Sequence, residues 1–282
     1  MGRCLALAGA LPDEAVFRLS DPVAAAFVVE RGGRLAEGDD TAKVLLLDHV
    51  ASTSLEQVRR LRASGSKVAL LDDRGEGRLE ADLVIDPPTG ASWPPAAGLR
   101  LAGFEHALIR AEVRPIRRAV DPAGVLVAMG GSDPEGMTRP LASALTAAAM
   151  PVTAVLGPGY SHGPPCAPVT AVRPEGFTRA LARCAILVAS FGQTLLEAAY
   201  LGIPAVALVL DEAQVVNAKA FCENGSALFV DGSKSLPANE LVALIERLRT
   251  DGCLRKALAA RGRDLVDGRG ADRVASAIRA LR

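Results

Sequence analysis

Aromatic residues are scarce in this 282-residue chain: seven Phe, two Tyr and one Trp, 4% of the sequence. So few rings argue against a platform on which nucleic-acid bases stack. An excess of basic charge is missing as well. The 32 Lys and Arg balance 32 Asp and Glu to a formal net charge of zero, which speaks against a general nucleic-acid binder with a basic stripe. No window holds about 18 uninterrupted apolar residues. The richest stretch, 185–210, is broken by Gln193, Glu197, Gly202 and Pro204, so no membrane span is expected, and no signal-peptide pattern is visible. The five cysteines (Cys4, Cys166, Cys184, Cys222, Cys253) are scattered and form no C-x-x-C pair. A reduced, cytoplasmic, soluble protein is the expectation. His, Asp and Cys do not cluster at metal-ligand spacing either, so neither metal nor cofactor is expected.

What is present is a core. Half the residues are hydrophobic and 23% charged, enough apolar surface for one or two globular domains. Short apolar runs alternate with amphipathic segments. Residues 44–49 form a continuous apolar run ending in polar groups, as in a strand buried on both faces. A helix follows over 54–64 with Ser54 as N-cap, then strands over 67–71 and 82–85. Residues 90–99 read as loop, and 101–118 as a segment whose Arg110, Arg114, Arg117 and Arg118 suit a solvated helical face. Asp121-Pro122-Ala123-Gly124 is the expected domain boundary. The alternation then restarts, with strands over 125–129, 152–156, 186–189, 205–210 and 227–230. Helices are expected near 137–149, 177–184, 194–201, 213–223, 238–249, 254–261 and 272–281. Two doubly wound parallel sheets follow from this order, with ligands at the carboxyl ends of strands, in a cleft between the halves.

Three strand ends carry candidate chemistry. The strand 125–129 runs into Gly130, Gly131, Ser132 and Asp133 before a helix. Glycines let backbone N–H groups approach a ligand, and a helix start adds positive dipole, so the loop suits a diphosphate. An ordinary capped turn is the alternative. The strand 186–189 runs into Ser190, Phe191, Gly192, Gln193 and Thr194, with Glu197 one helical turn later. A carboxylate there can accept both ribose hydroxyls, while Ser190 and Gly192 reach phosphate; the bland alternative is a solvated helical acid. Gln214 and Asn217, three apart at another helix start, can read sugar hydroxyls or simply cap that helix. Of the three histidines, His49 sits beside Asp48 at a strand end, His106 precedes Arg110, and His162 lies in a Gly/Pro-rich loop expected to face solvent. Asp72, Asp73 and Asp86 stand at strand ends, where acids more often hold loops than do catalysis.

Together these segments resemble the nucleotide-sugar half of GT-B proteins, and most closely the UDP-2,4-diacetamido-2,4,6-trideoxy-β-L-altropyranose hydrolases of pseudaminic (nonulosonic) acid synthesis, which serves flagellin glycosylation. The resemblance rests on Gly130 to Asp133, Ser190 to Glu197 with Gly202-Ile203-Pro204, Gln214 with Asn217-Ala218, Leu46 to His49, Leu71-Asp72-Asp73, Ala81 to Asp86 and Gly103 to Arg110. The peptidoglycan N-acetylglucosaminyltransferase shares only the broader C-terminal pattern. The resemblance implies a UDP-sugar ligand bound by residues 121–282, a water or acceptor side in residues 1–120 with His106 and Arg110 toward the sugar, and a last helix packing back on the first domain. It implies hydrolysis at the anomeric carbon without metal, by a monomer or weak homo-oligomer.

Family members open with a strand and a Gly-x-Gly-His turn, and the segment from Arg3 resembles the helix after that turn. The family's histidine then falls before Met1, leaving His49 with Asp48 as a weak substitute. The first domain is expected to lack its first strand, and losing about four buried side chains at roughly 1.5–3 kcal/mol each rivals a domain's whole stability. A longer native chain is therefore the expectation. Three activities stay open: a UDP-sugar hydrolase, inactive as written; a glycosyltransferase using the same donor; or a nucleotide-sugar-binding homologue without turnover.

Overall fold

The structure is a computed structural model, and it describes residues 2–12, 14–37, 42–48, 52–87, 95–166 and 168–282. The chain divides into two compact units, one of residues 1–111 with 268–282, the other of residues 112–267.

Unit 1 begins with helix α1 (Gly2–Gly9) and helix α2 (Pro22–Val29), the latter started by Asp21, whose side chain accepts from the Val23 amide. Next come β1 (Val44–Leu47), α3 (Leu55–Ala63), β2 (Lys67–Leu71), β3 (Leu83–Asp86) and β4 (Leu99–Ala102). Ser54 caps α3 through the Gln57 amide, the role its hydroxyl and position suggest. The sheet is all parallel in the order β1-β2-β3-β4. Phe17 and Leu35 form an isolated parallel bridge outside it. One face of the sheet buries Ala69, Leu71, Leu83 and Ile85 against Ala6 and Leu7 of α1 and Val274 and Ile278 of the last helix. The other face packs Val68, Leu70 and Val84 on Val58 of α3. Arg78 is fully buried, forked onto the equally buried Asp86 at 2.7 and 2.8 Å, and Arg100 adds a third bond to that carboxylate. Asp73 accepts from the Thr53 and Gly75 amides. Both acids thus hold loops, as acids at strand ends commonly do.

Unit 2 contains β5 (Val125–Ala128), α4 (Thr138–Ala147), β6 (Val152–Val155), β7 (Thr170–Val172), α5 (Phe177–Arg183), β8 (Ile186–Ser190), α6 (Gln193–Leu201), β9 (Ala205–Val209), α7 (Glu212–Glu223), β10 (Leu228–Asp231), α8 (Ala238–Thr250) and α9 (Gly252–Leu265). Its parallel sheet has the order β10-β9-β8-β5-β6-β7. Val125, Val127, Val188, Val206 and Leu208 pack on Leu141 and Leu145 of α4 and Leu241 and Ile245 of α8. Helix α10 (Gly270–Ala280) returns to unit 1.

Three readings of local structure are corrected. Residues 99–102 form a strand rather than loop and segment start, because Arg100 projects onto Asp86 at the sheet end. Residues 107–118 form no helix. Nor is the whole arginine run a solvated face: Arg117 is exposed, but Arg118 donates to the carbonyls of Gly202 and Cys184, and the Arg114 carbonyl accepts from the Tyr200 hydroxyl. These bonds strap the segment after Ala111 onto unit 2.

Candidate functional site

The order of the unit 2 sheet locates its crevice. From β5 the chain runs outward through β6 to β7, then returns to the other side of β5 and continues through β8, β9 and β10. The strand order therefore reverses between β5 and β8, and ligands of open parallel sheets bind beyond the carboxyl ends at such a switch point. The Gly130–Asp133 loop follows β5, and the Ser190–Gly192 loop follows β8. They are neighbours: a Cβ on Gly130 would lie 3.8 Å from the Ser190 hydroxyl oxygen.

The two loops do different work. Gly130, Gly131 and Ser132 are exposed, whereas Asp133 is buried. Its backbone adopts a φ of +46°, and its carboxylate accepts from the Met137 amide at 2.9 Å and the Thr138 amide at 2.8 Å. The positive end of α4 is thus already neutralised by the protein's own acid. An anion arriving here meets the glycine-loop backbone, not the α4 dipole. Helix α6 offers the opposite case. Its N-cap is Gly192, a residue with no side chain to cap the helix.

Glu197 lies one turn into α6 and is fully buried, held by Gln193 Nε2 at 3.2 Å. The reading of Glu197 as a solvated acid is excluded. Thr194, Ser190, Phe191 and Gly192 are half-buried. Phe191 sits edge-on to Phe221 of α7, with ring centroids 6.0 Å apart, which ties the β8 loop to α7. On α7, Asn217 is 2% exposed and its Oδ1 has no hydrogen-bond partner among the described residues. Gln214, a turn earlier, is half-buried. A buried amide oxygen without a donor costs about 1–3 kcal/mol, and such an atom usually has a reason to persist.

A fourth segment belongs here that sequence reasoning set aside. After β6, Gly159 donates its amide to the Gly131 carbonyl at 2.9 Å. His162, expected in solvent, is half-buried instead and bonds the Asp133 carbonyl through Nε2 at 2.7 Å. Its ring lies over Gly136, where an added Cβ would come within 3.2 Å. Tyr160 packs edge-on against it. The signal was available in the glycines at 157 and 159, which mark a close backbone approach.

Unit 1 holds its own polar cluster at the carboxyl ends of β1 and β2. Arg3 of α1 forks onto Asp48, at 2.6 Å for the closest contact, and reaches Asp72 at 2.8 Å. Cys4 Sγ donates to the second Asp48 oxygen at 2.9 Å. Burial and the Asp48 charge push the Cys4 thiol up to about 12. The two carboxylates diverge: burial raises Asp72 above the ordinary range despite Arg3, whereas the Arg3 and Cys4 bonds outweigh burial at Asp48 and hold it below. Asp72 also has a φ of +55°. Neither Arg3 nor Cys4 was singled out from sequence, since each meets its partners across 44 or more positions. His49 lies outside the described residues. His106 is half-buried, with Nδ1 3.9 Å from a Glu105 oxygen, too far to bond. The Arg110 stem packs on Gly2, where an added Cβ would lie 3.1 Å from its Cδ. Among the described residues no group of three or more His, Cys, Asp or Glu could hold a metal ion, and no helix is long and apolar enough to cross a membrane.

Comparison with solved structures decides the fold. S. aureus MnaA, solved with UDP, superposes over 99% of this chain and 92% of its own, with a TM-score of 0.65 at 10% identity. The spinosyn forosaminyltransferase SpnP matches over 99% and 95%, with a TM-score of 0.62 at 14% identity. The fold is GT-B. Identities this low establish the two parallel-sheet α/β domains and no particular activity. In sequence, the chain is 34% identical to the spore coat polysaccharide biosynthesis protein SpsG of Bacillus subtilis over 90 residues, 32% of this chain and 26% of that relative. No family model matches.

Proposed function

We propose that unit 2 binds a UDP-sugar and that the chain serves the cleavage of its anomeric C–O bond. The observation that carries this reading is the glycine start of α6 at the sheet's switch point, followed one turn later by the buried Glu197, together with the buried Asn217 oxygen of α7 that has no hydrogen-bond partner among the described residues. The amides of Gly192, Gly131 and Ser132 and the hydroxyls of Ser190, Thr194 and Ser132 take the diphosphate. Glu197, once Gln193 swings aside, accepts the ribose hydroxyls, and Gln214 and Asn217 read the sugar. In this GT-B frame a hydroxyl attacks the anomeric carbon, and UDP departs with the bonding electrons onto preorganised amide dipoles. UDP is the nucleotide solved in MnaA, and the Gly130–Asp133 and Gly103–Arg110 motifs support it here.

With water as the acceptor, the reaction is hydrolysis of a diacetamido-trideoxyhexose donor, the reading those motifs favour. With a sugar hydroxyl as acceptor it is glycosyl transfer, favoured by the likeness to a forosaminyltransferase across nearly the whole chain and by the partial match to a polysaccharide biosynthesis protein. The deciding experiment incubates the protein with UDP-sugars and follows UDP release with and without added acceptor sugars. Release in water alone supports hydrolysis, and release only with acceptor supports transfer. Absence of UDP binding by calorimetry contradicts both.

A further inference from the structure

Nothing in the nucleotide-binding reading requires the loop after β6, yet three contacts join it to the Gly130–Asp133 loop and a fourth joins it to α4. Gly159 N–H donates to the Gly131 carbonyl at 2.9 Å. Gly157 lies so near that an added Cβ would stand 2.2 Å from the Gly131 oxygen. His162 Nε2 bonds the Asp133 carbonyl at 2.7 Å, and since a carbonyl only accepts, Nε2 carries the proton. The His162 carbonyl in turn accepts from Arg139 Nη1 of α4 at 3.2 Å. Tyr160 braces the imidazole edge-on, its ring centroid 5.6 Å away, and the Tyr160 hydroxyl is sealed without a hydrogen-bond partner among the described residues.

These contacts have a directional consequence. In a trans peptide the C=O and the following N–H point in opposite directions. With the Gly131 carbonyl held on Gly157 and Gly159, the Ser132 N–H points away from the β6 loop, and Ser132 is exposed. Asp133, next in the chain, has a left-handed φ of +46°, a conformation that costs a non-glycine residue about 1–2 kcal/mol and needs holding from its surroundings. Its carbonyl is fixed from two sides, by the Gly136 amide at 2.9 Å and by His162. Of these, only the His162 bond comes from outside the turn.

We propose that His162 is a positioning residue of the nucleotide site: by holding the Asp133 carbonyl it keeps the Ser132 amide aimed at the diphosphate. The proposal rests on the UDP-binding reading above and adds a residue that touches no ligand. Because His162 acts through a phosphate-facing amide, its loss weakens ligands with a diphosphate and spares those without. The test is calorimetric titration of the wild type, His162→Ala and His162→Gln with UDP and with uridine, alongside thermal melts. His162→Ala should weaken UDP about five- to tenfold, the effect of one hydrogen bond, and leave uridine affinity unchanged. His162→Gln, which restores an N–H donor, should recover most of the UDP affinity. Equal losses for UDP and uridine would show a merely structural role and overturn the proposal, as would UDP affinity unchanged in His162→Ala. A wild type that does not bind UDP would overturn the underlying reading as well, which separates the two failures.

Discussion

Glu197 and Asp72 are two acids that the fold shelters from water, one fully and one in part. Glu197 is enclosed in α6, one turn after the helix start. Replacement by Gln keeps its shape and removes its charge. Glu197→Gln should weaken both UDP and uridine by about tenfold or more, the worth of a charge-assisted bond to ribose, in contrast to the diphosphate-only effect of His162. In unit 1, Asp72 sits above the usual carboxylate range because burial outweighs Arg3, so its ionised form is the costlier one in the folded protein. That cost is present at neutral pH and relieved as pH falls and the group protonates. Asp72→Asn should therefore leave stability unchanged or raise it at pH 7. Asp48 runs the other way: with its folded value depressed, its contribution is full above the unfolded pKa and lost as pH falls through the folded one. Asp48→Asn should cost about 1–3 kcal/mol at pH 7, and chemical denaturation at pH 7 and at about pH 2.5, below the ordinary Asp value, should show that penalty shrinking in acid.

At the scale of elements, helices α6 and α9 meet almost backbone to backbone. A Cβ on Gly262 would lie 2.9 Å from the Ala199 Cα and 3.0 Å from its carbonyl oxygen. Neither atom can turn aside as a side chain could, so Gly262→Ala must push α9 off α6. The expected loss is about 1–3 kcal/mol, read as a lowered melting temperature, and because α6 carries Glu197, UDP affinity should fall with it. Elements were legible where the sequence has one period. The largely buried runs Lys67–Leu71, Ile186–Ser190 and Ala205–Val209 announce strands because their only polar residues, Lys67 and Ser190, stand at the ends. Helix α2 was not legible, since Pro22–Val29 is apolar on every side and shows no helical face. Strand β7 is three residues long, too short to display alternation. Strand β4 carries Arg100, whose place in the fold depends on Asp86, fourteen positions away.

For the whole molecule, two doubly wound parallel sheets followed from the repeated succession of strand and helix, GT-B was what the family resemblance implied, and the superposition on MnaA and SpnP agrees with both. The candidate site was legible as loops, because glycines, hydroxyls and an acid at strand ends stand close together in sequence. Its internal wiring was not. That Asp133 caps α4 from four and five positions away, and that His162 reaches back 29 positions to the Asp133 carbonyl, are facts of packing. The chain crosses between its units twice, after Ala111 and after Asp267, so each unit has its own core and can be probed separately within the intact protein. Saturating UDP at about 100 times its Kd should stabilise the protein by about 2.7 kcal/mol, a clear shift in a thermal melt.

Hydrogen exchange of the intact chain with and without UDP tests the central claim most directly. The account predicts slowed exchange at three places in unit 2: the Gly130–Ser132 loop, the first turn of α6 from Gly192 to Glu197, and the start of α7 around Gln214 and Asn217. Protection confined to other segments, or none at saturating UDP, would contradict it.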